Sequence, residues 1–367
     1  MSTKNRTFAV LVLSGQLLAS GTAVGFQAGR PTSTQRPTAA FAAGDIDAFL
    51  AAAASELGGG CGLLLVRDGK VLYERSFGSV DLQQPIRIAS ATKWLSGAVL
   101  LSLVDEGKLK LDDPASRYIP SFSGAKAGIT VRQLLSHTAG LPMTHPSLDR
   151  RDISLEEAVD AIGGAPLMSA PGQVCMYGDA SIQVAGRIGE IAGGLAWSAL
   201  FRSKLSGPLG MTHTQCEGAA PTRNPHLAGG AISTARDYAG FLVMLIDKGE
   251  YRGRRILSRA AVDEMLRDQT RGSPLRFNPF EYFPELFPEW RKVRYGICNW
   301  LEAFDGATGT VVEASSPGAF GFCPWIDLRR KLAGVFVAES DMQKTLPAYL
   351  KLKALVRNRI AGQEARD

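Results

Sequence analysis

Apolar residues gather in strand-like runs towards the two ends of the chain, and helical spacing dominates the middle. Two apolar stretches, 62–66 and 71–77, flank Arg67-Asp68-Gly69-Lys70, and Asp-Gly between such runs predicts a tight β-hairpin. Ahead of them, 46–57 has the spacing of a helix that stops at Gly58-Gly59-Gly60. Beyond the hairpin, Trp94, Leu95, Ala98, Val99 and Leu103 recur at helical spacing through 88–107, with Gly107 as the stop. Strand character is sparse from 108 to 225. There, Thr130 with Gln133 and Ser154 with Glu157 read as capping boxes that each open a helix, and 181–191 predicts another, closed by Gly193-Gly194. Tyr238, Phe241, Leu242, Leu245 and Ile246 mark one face of an amphipathic helix. Strand candidates follow at 295–301, 309–314, 321–326 and 332–338, and a helix over 346–360 closes the pattern. Strands at both ends with helices between predict an α+β (mixed α/β) fold: an antiparallel sheet flanked by terminal helices, with an inserted helical subdomain. The boundaries expected are 43–87 with 226–362 for the α/β part and 88–225 for the helical part.

Composition narrows the class. The chain has 367 residues, of which 45% are hydrophobic and 21% charged, which suits a globular protein long enough for one large or two intimate domains. Its net charge of +6 is spread without basic runs or aromatic–basic stripes, so no nucleic-acid partner is expected. Lys4 and Arg6, the mostly apolar 8–18 and the small residues 19–25 resemble a secretory leader, predicting a signal peptide over 1–25 and a periplasmic or secreted protein. The apolar run is short for a stable membrane span; an N-terminal membrane anchor is the alternative. Residues 26–42, rich in Thr, Pro, Gly, Ser and Ala, read as a flexible lead-in. The cysteines at 61, 175, 216, 298 and 323 are widely spaced and odd in number. Zinc is not expected, at least one thiol stays free, and spacing does not give a pairing.

Candidate chemistry begins at Ser90 and Lys93. Residues three apart share one helix face, so the Lys93 ammonium hangs beside the Ser90 hydroxyl at the positive end of the helix. A plain helix cap is the alternative for Ser90, and Ser-x-x-Lys occurs again at Ser123 and Lys126 in a turn-like stretch. The pair alone therefore decides nothing. Three further stretches lie downstream: 129–142, containing Leu135-Ser-His-Thr-Ala-Gly-Leu141; Pro171-Gly172 ahead of Tyr177; and Ser316-Pro317-Gly318-Ala319 at a strand entrance.

With Pro208-Leu-Gly-Met211, the 228–237 stretch and Tyr295-Gly296, these occur in one family's order. Over roughly 45–360 the chain resembles the serine β-lactamase and penicillin-binding-protein superfamily. It is most similar to the class C β-lactamase-like branch, which includes D-Ala-D-Ala peptidases and family VIII esterases. The resemblance implies a Ser90 nucleophile that forms an acyl-enzyme, with Lys93 and Tyr177 as the candidate bases, and it does not say which takes the first proton. It also implies an oxyanion hole from the backbone N–H groups of Ser90 and Ala319, with Gly318 permitting close approach. His137 occupies a scaffold position in that pattern. No cofactor or metal is implied; the partner expected is a small acyl substrate, and the oligomeric state stays open.

Two positions depart from the family. Tyr177-Gly178-Asp179 puts an acid where the family often has Asn, and an ionised Asp only accepts hydrogen bonds. Asp179 is expected to pair with Lys93, hold it protonated and move the base role towards Tyr177. Ser316-Pro317 stands where peptidases and lactamases place Lys or His to hold a carboxylate; Pro317 removes a donor, and Ser316 is either a substrate contact or a loop serine. Asp179, Ser316 and Gly318 are the candidate substrate-binding residues. These changes point to a carboxylesterase for small neutral esters, ahead of a D-Ala-D-Ala carboxypeptidase or weak β-lactamase. An acylation-only sensor is the alternative of another class. The aromatic-rich 271–295, with Phe277, Phe280, Tyr282, Phe283, Phe287 and Trp290, either walls the cleft or packs on itself.

Overall fold

The architecture, taken from a computed structural model, is described for residues 41, 43–218 and 220–365. The expected leader and nearly all of the lead-in lie outside these residues. Seven strands make one antiparallel sheet. They are β1 (Gly60–Arg67), β2 (Lys70–Gly78), β3 (Arg294–Tyr295), β4 (Trp300–Phe304), β5 (Val311–Ser315), β6 (Phe322–Asp327) and β7 (Leu332–Ala338). Their order across the sheet is β2-β1-β7-β6-β5-β4-β3. The β1–β2 turn carries Asp68 at φ 50° and Gly69 at φ 71°, the left-handed pair that matches the twist of a two-residue hairpin. The first and last strands are thus neighbours inside the sheet, where β1 runs antiparallel to β7 from Cys61–Ala338 to Arg67–Leu332.

Helices cover both sheet faces, which explains why β1 reads as an unbroken apolar run rather than an alternation. Leu63 and Leu65 join the core under α1 (Gly44–Glu56) and α6 (Met342–Glu364). Leu64 and Val66 join the larger core on the other side. That core contains α2 (Ala91–Asp105), α3 (Leu155–Gly164), α4 (Ala180–Gly193) and α5 (Ala235–Ile246). Both predicted capping boxes form, at Thr130–Gln133 and Ser154–Glu157. Instead of exposing a polar face, α2 is buried all round from Ala91 to Leu103, with Trp94 edge-on to Phe241. It is the central helix of the molecule.

One expected strand breaks. The stretch 295–301 divides into β3 and β4 because the backbone between them turns aside to satisfy other elements. Ile297 N–H donates to Met265 O and Cys298 N–H to Leu135 O, and Cys298 takes a φ of 63°. Two short pairings matter for the site. Ile86–Arg87 pairs antiparallel with Ile232–Ser233, and Cys175–Met176 pairs parallel with Leu275–Arg276 of the aromatic-rich segment.

Candidate active site

Ser90 stands at the entrance of α2, where Ala89 adopts a φ of 44°. A non-glycine residue in that region costs on the order of 1–3 kcal/mol, so surrounding contacts must impose it. Ile88 N–H donates to Ala231 O, and a Cβ on Gly318 would meet Ile88 O at 2.1 Å, so the strand entrance closes on the segment before Ser90. Ser90 has no side-chain capping bond. Its Oγ instead accepts from Lys93 Nζ at 3.1 Å. The second Ser-x-x-Lys match differs: Ser123 is exposed, precedes one 3-10 turn, Gly124–Lys126, and caps nothing.

Lys93 is fully buried, and its ammonium has three partners. Besides Ser90 Oγ, it donates to Ala228 O at 3.0 Å and pairs with Asp179 Oδ1 at 2.7 Å. Burial alone lowers the pKa of a lysine; here Asp179, and after it Tyr177, outweigh burial and hold Lys93 above its ordinary value. Burial likewise works to raise the Asp179 carboxyl, but Lys93 foremost, then His226, keep it well below the usual carboxylate range. The pair is therefore charged on both sides at neutral pH. Asp179 lies at the start of α4, where its backbone N–H donates to Met143 O at 2.5 Å.

Tyr177 lies with its ring 4.7 Å from Lys93 Nζ. Behind it is an aromatic cage: His137 at 4.9 Å, Trp300 at 5.0 Å and Tyr295 at 5.9 Å between ring centroids. His137 is held at φ 58°, and its Nε2 meets Tyr295 OH at 3.1 Å. Burial, with Lys93 adding to it, pushes its pKa down to about 3, so it is a neutral packing partner. The parallel pairing of 175–176 with 275–276 fixes the approach to Tyr177 and brings the aromatic-rich segment beside it. Within that segment Phe280 is buried, tilted against Phe287 and edge-on to Trp300, while Phe277 is 44% exposed.

Opposite lies the strand entrance. Gly318 N–H donates to Phe322 O, and among the described residues neither Ser90 N–H nor Ala319 N–H donates to the protein. Ser316 is buried, and its hydroxyl donates to Ser90 O at 3.1 Å, so it holds the backbone of Ser90. At the rim, Arg87 lays its guanidinium over the Phe320 ring, 4.1 Å away. One polar neighbour carries no sequence signal: His226, whose Nε2 lies 3.4 Å from Asp179 Oδ2. It belongs to no motif or periodic pattern, and only the fold brings it there.

All five cysteines are buried and unpaired. Among the described residues no cluster of His, Cys, Asp and Glu is arranged to hold a metal, and no helix is long and apolar enough to cross a membrane.

Comparison with known proteins bears on the family and the fold. The Protein flp of Staphylococcus aureus (strain NCTC 8325 / PS 47) is 29% identical over 170 residues, 42% of this chain and 34% of its own length. Esterase EstB of Burkholderia gladioli is 30% identical over 187 residues, 44% of this chain and 47% of its own. The chain thus spans between a third and a half of these curated relatives. A solved structure of a candidate beta-lactamase from Bacteroides dorei DSM 17855 matches at a TM-score of 0.73 and 32% identity, covering 82% of this chain and 91% of that one. The sequence profile of the Beta-lactamase family matches residues 49–349. With that profile running from α1 into α6, the chain belongs to the beta-lactamase family.

Proposed function

We propose that the protein is an esterase for small neutral acyl substrates and works through an acyl-enzyme on Ser90. The observation that carries this reading is the line from Ser90 Oγ through the buried Lys93 Nζ to Asp179, at 3.1 and 2.7 Å. Ser90 Oγ attacks the ester carbonyl carbon, and its proton leaves as the C–O bond forms. Lys93, kept as an ammonium by Asp179, donates to Oγ and stabilises charge there, which leaves Tyr177, acting as its phenolate, to take the proton and become the phenol. The N–H groups of Ser90 and Ala319 receive the developing oxyanion. The alcohol departs with a proton, and water then attacks the acyl carbon and releases the acid.

Substrate class follows from charge. Asp179, one-third exposed beside the nucleophile, repels a substrate carboxylate, and buried Ser316 supplies no cation to hold one. That EstB is an esterase supports the same direction. The test is a panel of p-nitrophenyl esters, nitrocefin and a D-Ala-D-Ala peptide, with Ser90→Ala as control. Short-chain ester turnover is expected, falling by about a thousandfold or more in Ser90→Ala. Faster turnover of nitrocefin than of any ester would overturn the substrate class, and stable acylation without turnover would favour a sensor. Ester hydrolysis surviving in Ser90→Ala would overturn the mechanism.

A further inference from the structure

We infer that His226 is a positioning residue of this site, acting on Lys93 through Asp179; the inference rests on the Ser90 acyl-enzyme reading above. The Asp179 carboxylate is divided: Oδ1 faces Lys93 Nζ at 2.7 Å, and Oδ2 faces His226 Nε2 at 3.4 Å. The latter atom is buried and makes no hydrogen bond among the described residues, so Asp179 is the group it approaches without yet closing a bond to it. A buried polar nitrogen without a closer partner is costly unless it serves the group it faces, and that group is the lysine's counter-ion. A lone pair on Nε2 would repel the carboxylate, so the contact requires the tautomer with hydrogen on Nε2. That N–H restrains rotation of the carboxylate and keeps Oδ1 on Lys93.

The segment bearing His226 is built for this. Its carbonyl accepts from Gly229 N–H at 3.2 Å and Gly230 N–H at 2.7 Å. A Cβ on Gly230 would sit 2.8 Å from His226 O and 3.1 Å from its Cβ, and one on Gly229 3.4 Å from Cε1. The two glycines thus let the chain fold tightly against the imidazole. Pro225 O and Leu227 N–H are bound by the two ends of the Gln183 amide on α4. Leu227 O accepts from Ser96 Oγ, and Ala228 O accepts from Lys93 Nζ itself. The segment that carries His226 is therefore tied to the helices that carry Lys93 and follow Asp179. Such outer contacts typically carry 10- to 100-fold in activity when they orient a functional group.

A double-mutant cycle on the full chain tests this, with ester hydrolysis as the rate and a thermal melt as the folding control. His226→Ala is expected to lower kcat about 10-fold with KM within about twofold, and His226→Gln, which keeps an N–H donor, to regain most of it. Because His226 acts through Asp179, Asp179→Asn with His226→Ala should be no slower than Asp179→Asn alone, within about twofold. Multiplying effects, or a His226→Ala enzyme as fast as wild type while Ser90→Ala is inactive, would overturn the inference and leave the acyl-enzyme reading standing. Where His226→Ala fails to fold, a His226→Gln enzyme slowed 10-fold would overturn it equally. Activity surviving in Ser90→Ala removes the parent reading instead.

Discussion

Among the described residues two lysines are buried against carboxylates, and they are built for opposite ends. Lys353 on α6 lies between Glu302 on β4 at 2.5 Å and Glu313 on β5 at 3.1 Å, and Glu313 also pairs with Arg357 at 2.8 Å. Two cations face two anions, so the charges balance within the cluster. It bolts the last helix to the sheet. Lys93 is as deeply buried, yet it has one carboxylate, a backbone carbonyl and a serine hydroxyl, and its partner Asp179 remains one-third exposed. In both places burial opposes the ammonium and neighbouring acids overcome it, so both lysines are held above the ordinary value. What separates them is the third neighbour. A closed set of charges gives rigidity, and an open set ending on a hydroxyl gives chemistry.

Replacing each lysine by methionine breaks the comparison most strongly. Lys93→Met is expected to lower ester hydrolysis about 10²- to 10⁴-fold with a modest loss of stability, since Asp179 can still reach solvent. Lys353→Met should do the reverse. It strands Glu302, which is buried and has, among the described residues, no ion-pair partner other than Lys353, and should cost about 3–5 kcal/mol while the folded fraction keeps its kcat. Adding Glu302→Gln should return most of that stability, because the stranded charge is then gone. Denaturant melts with rate measurements in parallel read both. Equal rate losses at the two lysines would dissolve the distinction.

Next in size is Asp179→Asn, read through pH. With Lys93 above its ordinary value, its contribution to stability is complete below the unfolded lysine value of 10.5 and disappears as pH rises through the folded one. Asp179 is depressed, so its contribution is present above the ordinary 3.8 and disappears as pH falls towards the folded value. Wild type should therefore exceed Asp179→Asn in stability across the window between these limits and converge with it in strong acid. In the variant only Tyr177 still opposes the burial of Lys93, so the lysine releases its proton at lower pH and the base role can return to it. The limb of the pH–rate profile that reports the essential base should then move. An unmoved limb would show that Asp179 does not govern Lys93.

How much of this was readable in advance follows the range of the contacts. Ser90 beside Lys93, the two capping boxes and the Asp68-Gly69 turn depend on residues a few positions apart, and local spacing displays them. The strand break at 296–299 was hidden, because its cause is backbone bonding to Met265 and Leu135, far away in the chain. The Asp179–Lys93 pair was foreseen only because a family pattern placed the two positions side by side. His226 and the Lys353 cluster had no such guide. Glu302 is a buried charge in an otherwise apolar strand, a pattern that says a partner exists without saying which, whereas Lys353 is one of several charges on α6 and no spacing marks it as the buried one. The cysteines were legible as odd in number, yet only the fold shows that every one is buried.

Ser316 gives the smallest effect and the finest discrimination. Read from the sequence it is a substrate contact or a loop serine, and the fold directs its hydroxyl onto Ser90 O at 3.1 Å from within the core. A hydroxyl that binds substrate and one that holds the nucleophile's backbone fail differently. Removing a uniform substrate contact raises KM and leaves kcat alone; loosening the nucleophile lowers kcat and leaves KM alone. Ser316→Ala deletes one buried hydrogen bond, a loss of about 0.5–1.5 kcal/mol, and leaves Ser90 O with its bond from Lys93 N–H at 3.0 Å. We expect kcat to fall a few-fold with KM unchanged, measured on the best ester of the panel. A raised KM at constant kcat would return Ser316 to the substrate and leave Gly318, pressed against Ile88 O, as the main restraint between the strand entrance and the segment before Ser90.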